Sequence, residues 1–334
     1  MIVLKKPKVY VTRQLFKKAI DLLKEHTDVE VFEGEDNPVP REVLLKKIEK
    51  VEGLLCLLTD RIDVKTLDAG KNLKVVSNYA VGFNNIDIDE ATKKGVYVTN
   101  TPGILTETTA DCAFALMMCI ARRIAEADRH TRNGGWIHAW GPKMFLGSDI
   151  HGKTLGILGM GRIGTAMTKR ARGFDMNVIY YDSIRREDLE GKLGIKYYSF
   201  RDLLKESDFV SIHVPLTDAT YHMIGEKELS SMKKTAFLIN TARGPIVAEE
   251  ALFHALKNRM IAGAGIDVFE KEPIEKDNPL LKLDNIVITP HIASASIDTR
   301  TNMAILAATN LIEVLKGRVP TNLVNPEVKK VRSL

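Results

Sequence analysis

The stretch from Lys153 to Asp182, KTLGILGMGRIGTAMTKRARGFDMNVIYYD, constrains this chain more than any other. An apolar run, Leu155 to Leu158, reads as a buried strand. Gly159, Gly161 and Gly164 follow in the spacing G-x-G-x-x-G, then a helical segment from about Ile163 to Phe174. A second strand, Asn177 to Tyr181, ends in Asp182. Each part has a physical task in a strand–turn–helix–strand unit that holds a dinucleotide. Gly159 permits the tight turn, Gly161 lets the backbone approach a pyrophosphate, and Gly164 lets the helix pack closely on the strand. The helix N-terminus, opened by Arg162 and Ile163, offers N–H groups and a positive dipole end to phosphates. Asp182 is placed to accept hydrogen bonds from an adenosine ribose. Glycines in an ordinary tight turn are the plainer alternative, but both strands, the helix and the terminal acid agree with a dinucleotide site.

At 334 residues the chain has room for two domains with proper cores. Its net charge of +5 is spread along the chain, so clusters such as Lys46-Lys47 read as solvated faces and no nucleic-acid partner is expected. The longest apolar run, Cys112 to Ala121, is too short to span a bilayer, and the N-terminal MIVLKKPKVYVT lacks the apolar core and cleavage site of a leader peptide. Cys56, Cys112 and Cys119 have no disulfide or metal-ligand spacing. They are expected to be buried and reduced, which favours the cytoplasm. With one glutamine among many Lys, Glu and Arg residues, the composition resembles that of heat-adapted proteins.

Strands and helices alternate along the rest of the chain, which predicts parallel sheets with helices on both faces. Strands are expected at Lys8–Thr12, Val29–Phe32, Gly53–Leu58, Lys74–Ser77 and Val96–Thr99, with helices between them. A single long helix, capped by Thr106 or Thr108, should run from Thr109 to Arg132 as a connector between domains. The loop after it, residues 134 to 150, carries Trp136, Trp140 and Phe145, and should pack on its own domain or reach a partner subunit. Beyond the Gly-rich unit, strands are expected at Phe209–Val214, Ala236–Asn240, Ile261–Val268 and Ile286–Thr289, and a helix at Ile297–Lys316.

Ligands of open α/β sheets lie beyond the carboxyl ends of strands. The loop SNYAVGFNNID follows such an end, and Val81 and Gly82 there present backbone N–H groups to an anion or simply make a turn. Arg243, Glu272 and His291 also stand just past strand ends. Taken singly, such an Arg is usually an ion-pairing residue and such a His structural. Together they suit hydride transfer to a 2-oxo acid. Arg243 can grip the carboxylate through its planar fork, and His291 can donate a proton to the developing alkoxide. Glu272 can orient the imidazole and favour its charged form.

These residues lie in motifs that resemble the D-isomer-specific 2-hydroxyacid dehydrogenases over nearly the whole length: NYAVGFNNID, LGMGRIG, NTARGPIV, GAGIDVFEKEP and TPHIAS. The segments GLLCLLTDRID, NGGW and MFLG are most similar to the glyoxylate/hydroxypyruvate reductases among them. The resemblance implies two doubly wound parallel-sheet α/β domains. A flavodoxin-like substrate domain would comprise residues 1–99 and 291–334, with an inserted Rossmann NAD(P)-binding domain at 100–290 and two long helices as the hinge. It implies catalytic roles for Arg243, Glu272 and His291, and carboxylate-binding amides at Val81 and Gly82. The cofactor set is Gly159, Gly161, Arg162, Ile163, Gly164, Asp182, Val214, Pro215, Thr241, Ala242, Arg243, Asp267 and His291, with Asp267 on the nicotinamide carboxamide. A tryptophan of the long loop would enter the active site of the other subunit of a homodimer. Trp140 is the better match, with Trp136 the alternative.

The implied reaction is NAD(P)H-dependent reduction of glyoxylate or hydroxypyruvate to the D-2-hydroxy acid. Asp182 would repel a 2′-phosphate, which favours NAD, whereas Arg185 and Arg186 could offset that repulsion and admit NADP. D-lactate or phosphite oxidation, or a dinucleotide-regulated binding protein on the same fold, are the rival readings.

Overall fold

Strand segments such as GLLC (Gly53–Cys56), FVSI (Phe209–Ile212) and FLIN (Phe237–Asn240) are buried at every position. Continuous burial is what a parallel sheet covered on both faces requires. The computed structural model describes residues 5–34 and 37–334. Residues 1–4, part of the stretch read against a leader peptide, lie outside the described residues. The chain forms two compact units, one running up to Leu105 together with Ala295–Leu334, the other Thr106–Ser294.

The first unit is built on five parallel strands: β1 (Lys8–Val11), β2 (Asp28–Val31), β3 (Gly53–Cys56), β4 (Val75–Asn78) and β5 (Tyr97–Thr99), in the order β2-β1-β3-β4-β5. The helices between them are α1 (Lys17–His26), α2 (Arg41–Ile48), α3 (Val64–Ala69) and α4 (Ile88–Lys93). The side chains of Asp63 and Asp87 accept N–H groups at the starts of α3 and α4, which sets where those helices begin. One core gathers Tyr10, Leu54, Val76 and Val98 with Leu44, Ile48 and Leu67. The C-terminal helix, Ile297–Leu315, packs on α1, β3, β4 and β5, and its Ala307 carbonyl accepts the buried Ser77 hydroxyl at 2.8 Å.

Beyond that helix the tail runs along β5. Val324 N–H donates to Val98 O at 2.8 Å, and the buried Asn325 side chain accepts Val98 N–H while donating to Val96 O and Thr92 Oγ1.

The second unit opens with two helices, α5 (Thr106–Ala121) and α6 (Ile124–Arg132), where one was expected, and Thr106 and Thr108 lie inside α5 rather than capping it. Arg123 breaks the helix in the left-handed region, with φ 53°, and clasps Glu126 through two hydrogen bonds of 2.7 and 2.6 Å. The freed Ala121 carbonyl accepts Ser148 N–H at 2.8 Å from the returning loop.

The remaining elements are β6 (Thr154–Leu158), α7 (Arg162–Arg172), β7 (Asn177–Tyr181), α8 (Glu187–Leu193), β8 (Lys196–Tyr197), α9 (Phe200–Glu206), β9 (Phe209–Ile212), α10 (Glu226–Ser231), β10 (Phe237–Asn240), α11 (Glu249–Lys257), β11 (Gly263–Ile266) and β12 (Ile286–Ile288). All seven strands are parallel, in the order β12-β11-β10-β9-β6-β7-β8. Sequence order reverses between β6 and β9, which makes their carboxyl ends the expected ligand position of a doubly wound sheet. One face packs on α5 and α7 through Leu116, Met117, Leu155 and Met167, the other on α9 to α11 through Leu203, Leu252 and Leu256. The architecture is thus two parallel-sheet α/β units, the second a Rossmann fold.

Two short segments fall in different units from those expected. Residues 100–105 belong to the first unit, where Asn100 and Thr101 are bonded to Asn322, Asn310 and Ala80. Residues 291–294 stay with the second, because Asp267 accepts their amides. The cysteines are free, Cys56 buried but Cys112 and Cys119 only half-buried on α5. Among the described residues no helix is long and apolar enough to cross a membrane.

Removing the Asn325 amide strands buried backbone groups of Val96 and Val98. Asn325→Ala should therefore cost about 2–3 kcal/mol, read as a lower guanidinium midpoint. An unchanged midpoint would show that water replaces the amide.

Candidate active site

The turn between β6 and α7 has the geometry its glycines were expected to serve. Gly159 sits at φ 95°, and a Cβ there would lie 2.8 Å from the His213 carbonyl group. At Gly164 a Cβ would lie 2.2 Å from Gly159 O, so only glycine lets the helix come this near the turn. Gly161 caps α7 without a side chain, and a Cβ there would meet only open space. That leaves the first N–H groups of an eleven-residue helix facing an open cradle. Arg162 is exposed and Ile163 half-buried in the first turn.

Asp182, at the end of β7, accepts Met160 N–H at 2.7 Å on one oxygen, and Ser183 Oγ–H and Ile184 N–H on the other. Its neighbours are already paired: Arg185 with Glu190, and Arg186 with Asp188. Val214 and Pro215 follow β9 and face the same turn through His213, whose N–H donates to Leu158 O at 2.7 Å. Past β10, Thr241 has a buried hydroxyl with no partner among the described residues. An open glycine cradle, a helix terminus and an orphaned hydroxyl beyond neighbouring strand ends fit a nicotinamide dinucleotide.

Arg243 is held by Asn240, a buried residue that the sequence alone did not single out. The Asn240 amide donates to Arg243 O and its oxygen accepts Ala242 N–H, each at 3.0 Å. Burial lowers the pKa of the Arg243 guanidinium, and the charge of Glu272 opposes that effect.

Glu272 and His291 come together as expected: Glu272 Oε2 and His291 Nδ1 are 2.7 Å apart. The other carboxylate oxygen accepts Phe269 N–H at 3.1 Å. Burial raises the Glu272 pKa, but the hydrogen bond and charge of His291, the Phe269 amide and Arg243 outweigh it and hold the carboxyl below its ordinary range. His291 itself has φ 53°, unusual for a residue with a side chain. Asp267, fully buried, holds that conformation. Its oxygens accept Thr289 Oγ1–H, Ile292 N–H and Ala293 N–H at 2.6 to 2.8 Å, and its carbonyl accepts His291 N–H at 2.9 Å.

Val81 and Gly82 lie in the other unit, after β4. Their carbonyls accept the amides of Asn100 and Asn78, both at 2.8 Å, and their own N–H groups have no partner among the described residues. On the long loop, Phe145 packs back against His130 and under Arg123. Trp136 and Trp140 do not: they are 56% and 77% exposed, beside exposed Ile137, Met144 and Leu146.

Burial pulls the pKa of His213 down from 6.5 to about 4. Above pH 6.5 the folded and unfolded chains both keep this imidazole neutral, and its contribution to stability is complete. Below that, the unfolded chain takes up a proton that the folded chain refuses until about pH 4. Stability should therefore fall across this window by at most about 1.4 kcal/mol per pH unit. His213→Asn should flatten that slope when unfolding free energies are compared at pH 5 and pH 7. An unchanged slope would assign the acid sensitivity to other groups.

The chain is similar to known proteins over nearly its whole length. Residues 114–293 match the model of the D-isomer specific 2-hydroxyacid dehydrogenase NAD-binding domain. A glyoxylate reductase of Korarchaeum cryptofilum is 55% identical over 98% of both chains. A Thermus thermophilus protein of known crystal structure is 44% identical with a TM-score of 0.89, covering 95% of this chain and 99% of that one. The NADPH-dependent glyoxylate/hydroxypyruvate reductase of Sinorhizobium meliloti, solved with NADP and malonate, is 31% identical with a TM-score of 0.83, over 97% of this chain and 98% of its own. With its Rossmann unit, its cradle for NAD(P) and identity of this extent, the chain belongs to the D-isomer specific 2-hydroxyacid dehydrogenase family of oxidoreductases.

Proposed function

We propose that this enzyme reduces a small 2-oxo acid, glyoxylate or hydroxypyruvate, to the D-2-hydroxy acid. The observation that carries the reading is the Glu272–His291 pair at 2.7 Å, formed beside a guanidinium whose charge acts on the same carboxylate. The nicotinamide dinucleotide supplies the hydride. Arg243 grips the substrate carboxylate and polarises the adjacent carbonyl. The Val81 and Gly82 amides are assigned to the same carboxylate. His291 donates a proton from Nε2 to the developing alkoxide, while Glu272 on Nδ1 fixes the ring's direction. Asp267 is assigned to the carboxamide side of the cofactor, in addition to holding the His291 turn. The names of the relatives, a glyoxylate reductase and a glyoxylate/hydroxypyruvate reductase, support these two substrates.

On this reading the five-stranded unit is the substrate domain and the seven-stranded unit the cofactor domain. The exposed apolar side chains of residues 136–146 support a homodimer in which Trp140, or Trp136, completes the other subunit's site. The unpaired cysteines support residence in the cytoplasm. NADH is the preferred reductant on this reading: Asp182 is assigned to the ribose, and its two arginine neighbours are already paired with acids.

His291→Asn should lower kcat by roughly 10²–10⁴, a far larger effect than on dinucleotide affinity. Near-normal turnover would remove His291 from the role of proton donor. With glyoxylate as substrate, NADH should outperform NADPH, and Asp182→Ala should improve kcat/KM for NADPH by about tenfold by removing a repelling charge. A wild-type preference for NADPH would show that Arg185 and Arg186 govern this end of the site.

A further inference from the structure

The loop that carries Glu272 is fastened to the rest of its unit by a set of contacts that the reaction scheme does not use. The turn after Arg243 lies directly on that loop: a Cβ on Gly244 would be 1.9 Å from Phe269 C and O, and 2.5 Å from Glu270 N. Glu270, two residues before Glu272, then reaches the start of α11. Its Oε1 accepts Glu249 N–H at 2.9 Å, and its own N–H donates to Glu249 Oε2 at 3.1 Å. The same Oε1 lies 2.8 Å from His222 Nε2. His222 is anchored in turn, with its N–H donating to Pro245 O at 2.8 Å and a backbone φ of 49°. A closed circuit therefore runs from the Arg243 turn through His222 and Glu270 to Glu249.

We infer that Glu270 is a positioning residue for the reduction: its carboxylate clamps loop 269–273 to α11 and His222, so that Glu272 is presented to His291 and held beside Arg243. The inference rests on the roles given above to Glu272 and His291. Three polar contacts meet on Glu270 at the surface, where isolated ion pairs are worth little. Their reciprocity makes them useful. Glu249 and Glu270 each take the other's backbone amide, so neither segment shifts without breaking both bonds. A carboxylate misplaced by an ångström no longer orients the ring on which proton transfer depends.

The test is a double-mutant cycle on the full-length enzyme, with glyoxylate and NADH, checked by thermal unfolding and dinucleotide binding. Glu270→Ala should lower kcat by roughly tenfold with little change in KM for NADH. It should also move the limb where turnover falls with rising pH in the same direction as Glu272→Gln does. Glu270→Gln should stay within about twofold of wild type, because one amide oxygen can accept both bonds that Oε1 receives. In a Glu272→Gln background, Glu270→Ala should change kcat by less than about twofold, since the residue it positions is already disabled. Independent, multiplying losses in the double variant would overturn the inference, as would a lower unfolding temperature with kcat and its pH profile unchanged. If Glu272→Gln alone leaves kcat untouched, the catalytic pair itself is misassigned, whatever Glu270 does.

Discussion

A buried carboxylate sets the terms for the His291 end of the seven-stranded unit. Asp267 has no exposed surface, and burying it there is offset by three donors to its carboxylate oxygens. Those donors are the Thr289 hydroxyl and the amides of Ile292 and Ala293, which bracket His291. The charge thus has its hydrogen-bonding demand met by one particular turn, and that turn places the imidazole in a backbone region that a side chain rarely occupies. The strain at His291 and the burial of Asp267 are two halves of one arrangement. Glu272 then approaches the ring from the loop after β11, the strand that Asp267 directly follows, so one strand terminus leads to both the brace and the acid bonded to the ring.

The same logic recurs past β10. Asn240 ends the strand fully buried and spends its amide on the turn that follows, so Arg243 is carried on a backbone with its own internal support. Strand ends here do more than point residues at a ligand. At β10 and β11 a buried polar residue, Asn240 in the last strand position or Asp267 just past it, ties down the loop beyond. Side chains carried on such a scaffold are pre-organised by the fold itself.

Much of this was legible in the sequence. Asn177–Tyr181 has the bounds that its apolar run predicts, with Asp182 marking its end. The three glycines of the β6–α7 turn announced their roles through spacing. Arg243, Glu272 and His291 were visible as polar residues past strand ends. What escaped was whatever depends on a partner distant in sequence. Nothing local at Arg122-Arg123, neither glycine nor proline, marks the break between α5 and α6; a loop that returns some twenty-five residues later captures the Ala121 carbonyl. The two-residue β8 and the polar α8 carry too little apolar periodicity to stand out. Asn240 and Glu270 sit inside recognised motifs, yet no spacing rule says which amide each will bind.

The tail along β5 has a consequence beyond the stability of its own unit. A parallel sheet ends in a row of unpaired amides and carbonyls that any extended chain can join. On the β5 side, Val98 N–H and O and Val96 O are already taken by Asn325 and Val324, and Thr99 bridges to Leu323. The last residues of the chain therefore act as a surrogate strand over an edge that is translated more than two hundred residues before its cover. Until the C-terminus has been made, a nascent chain carries that edge bare. The tail is thus a late-arriving cover for an edge that would otherwise be open to sheet-to-sheet association during synthesis.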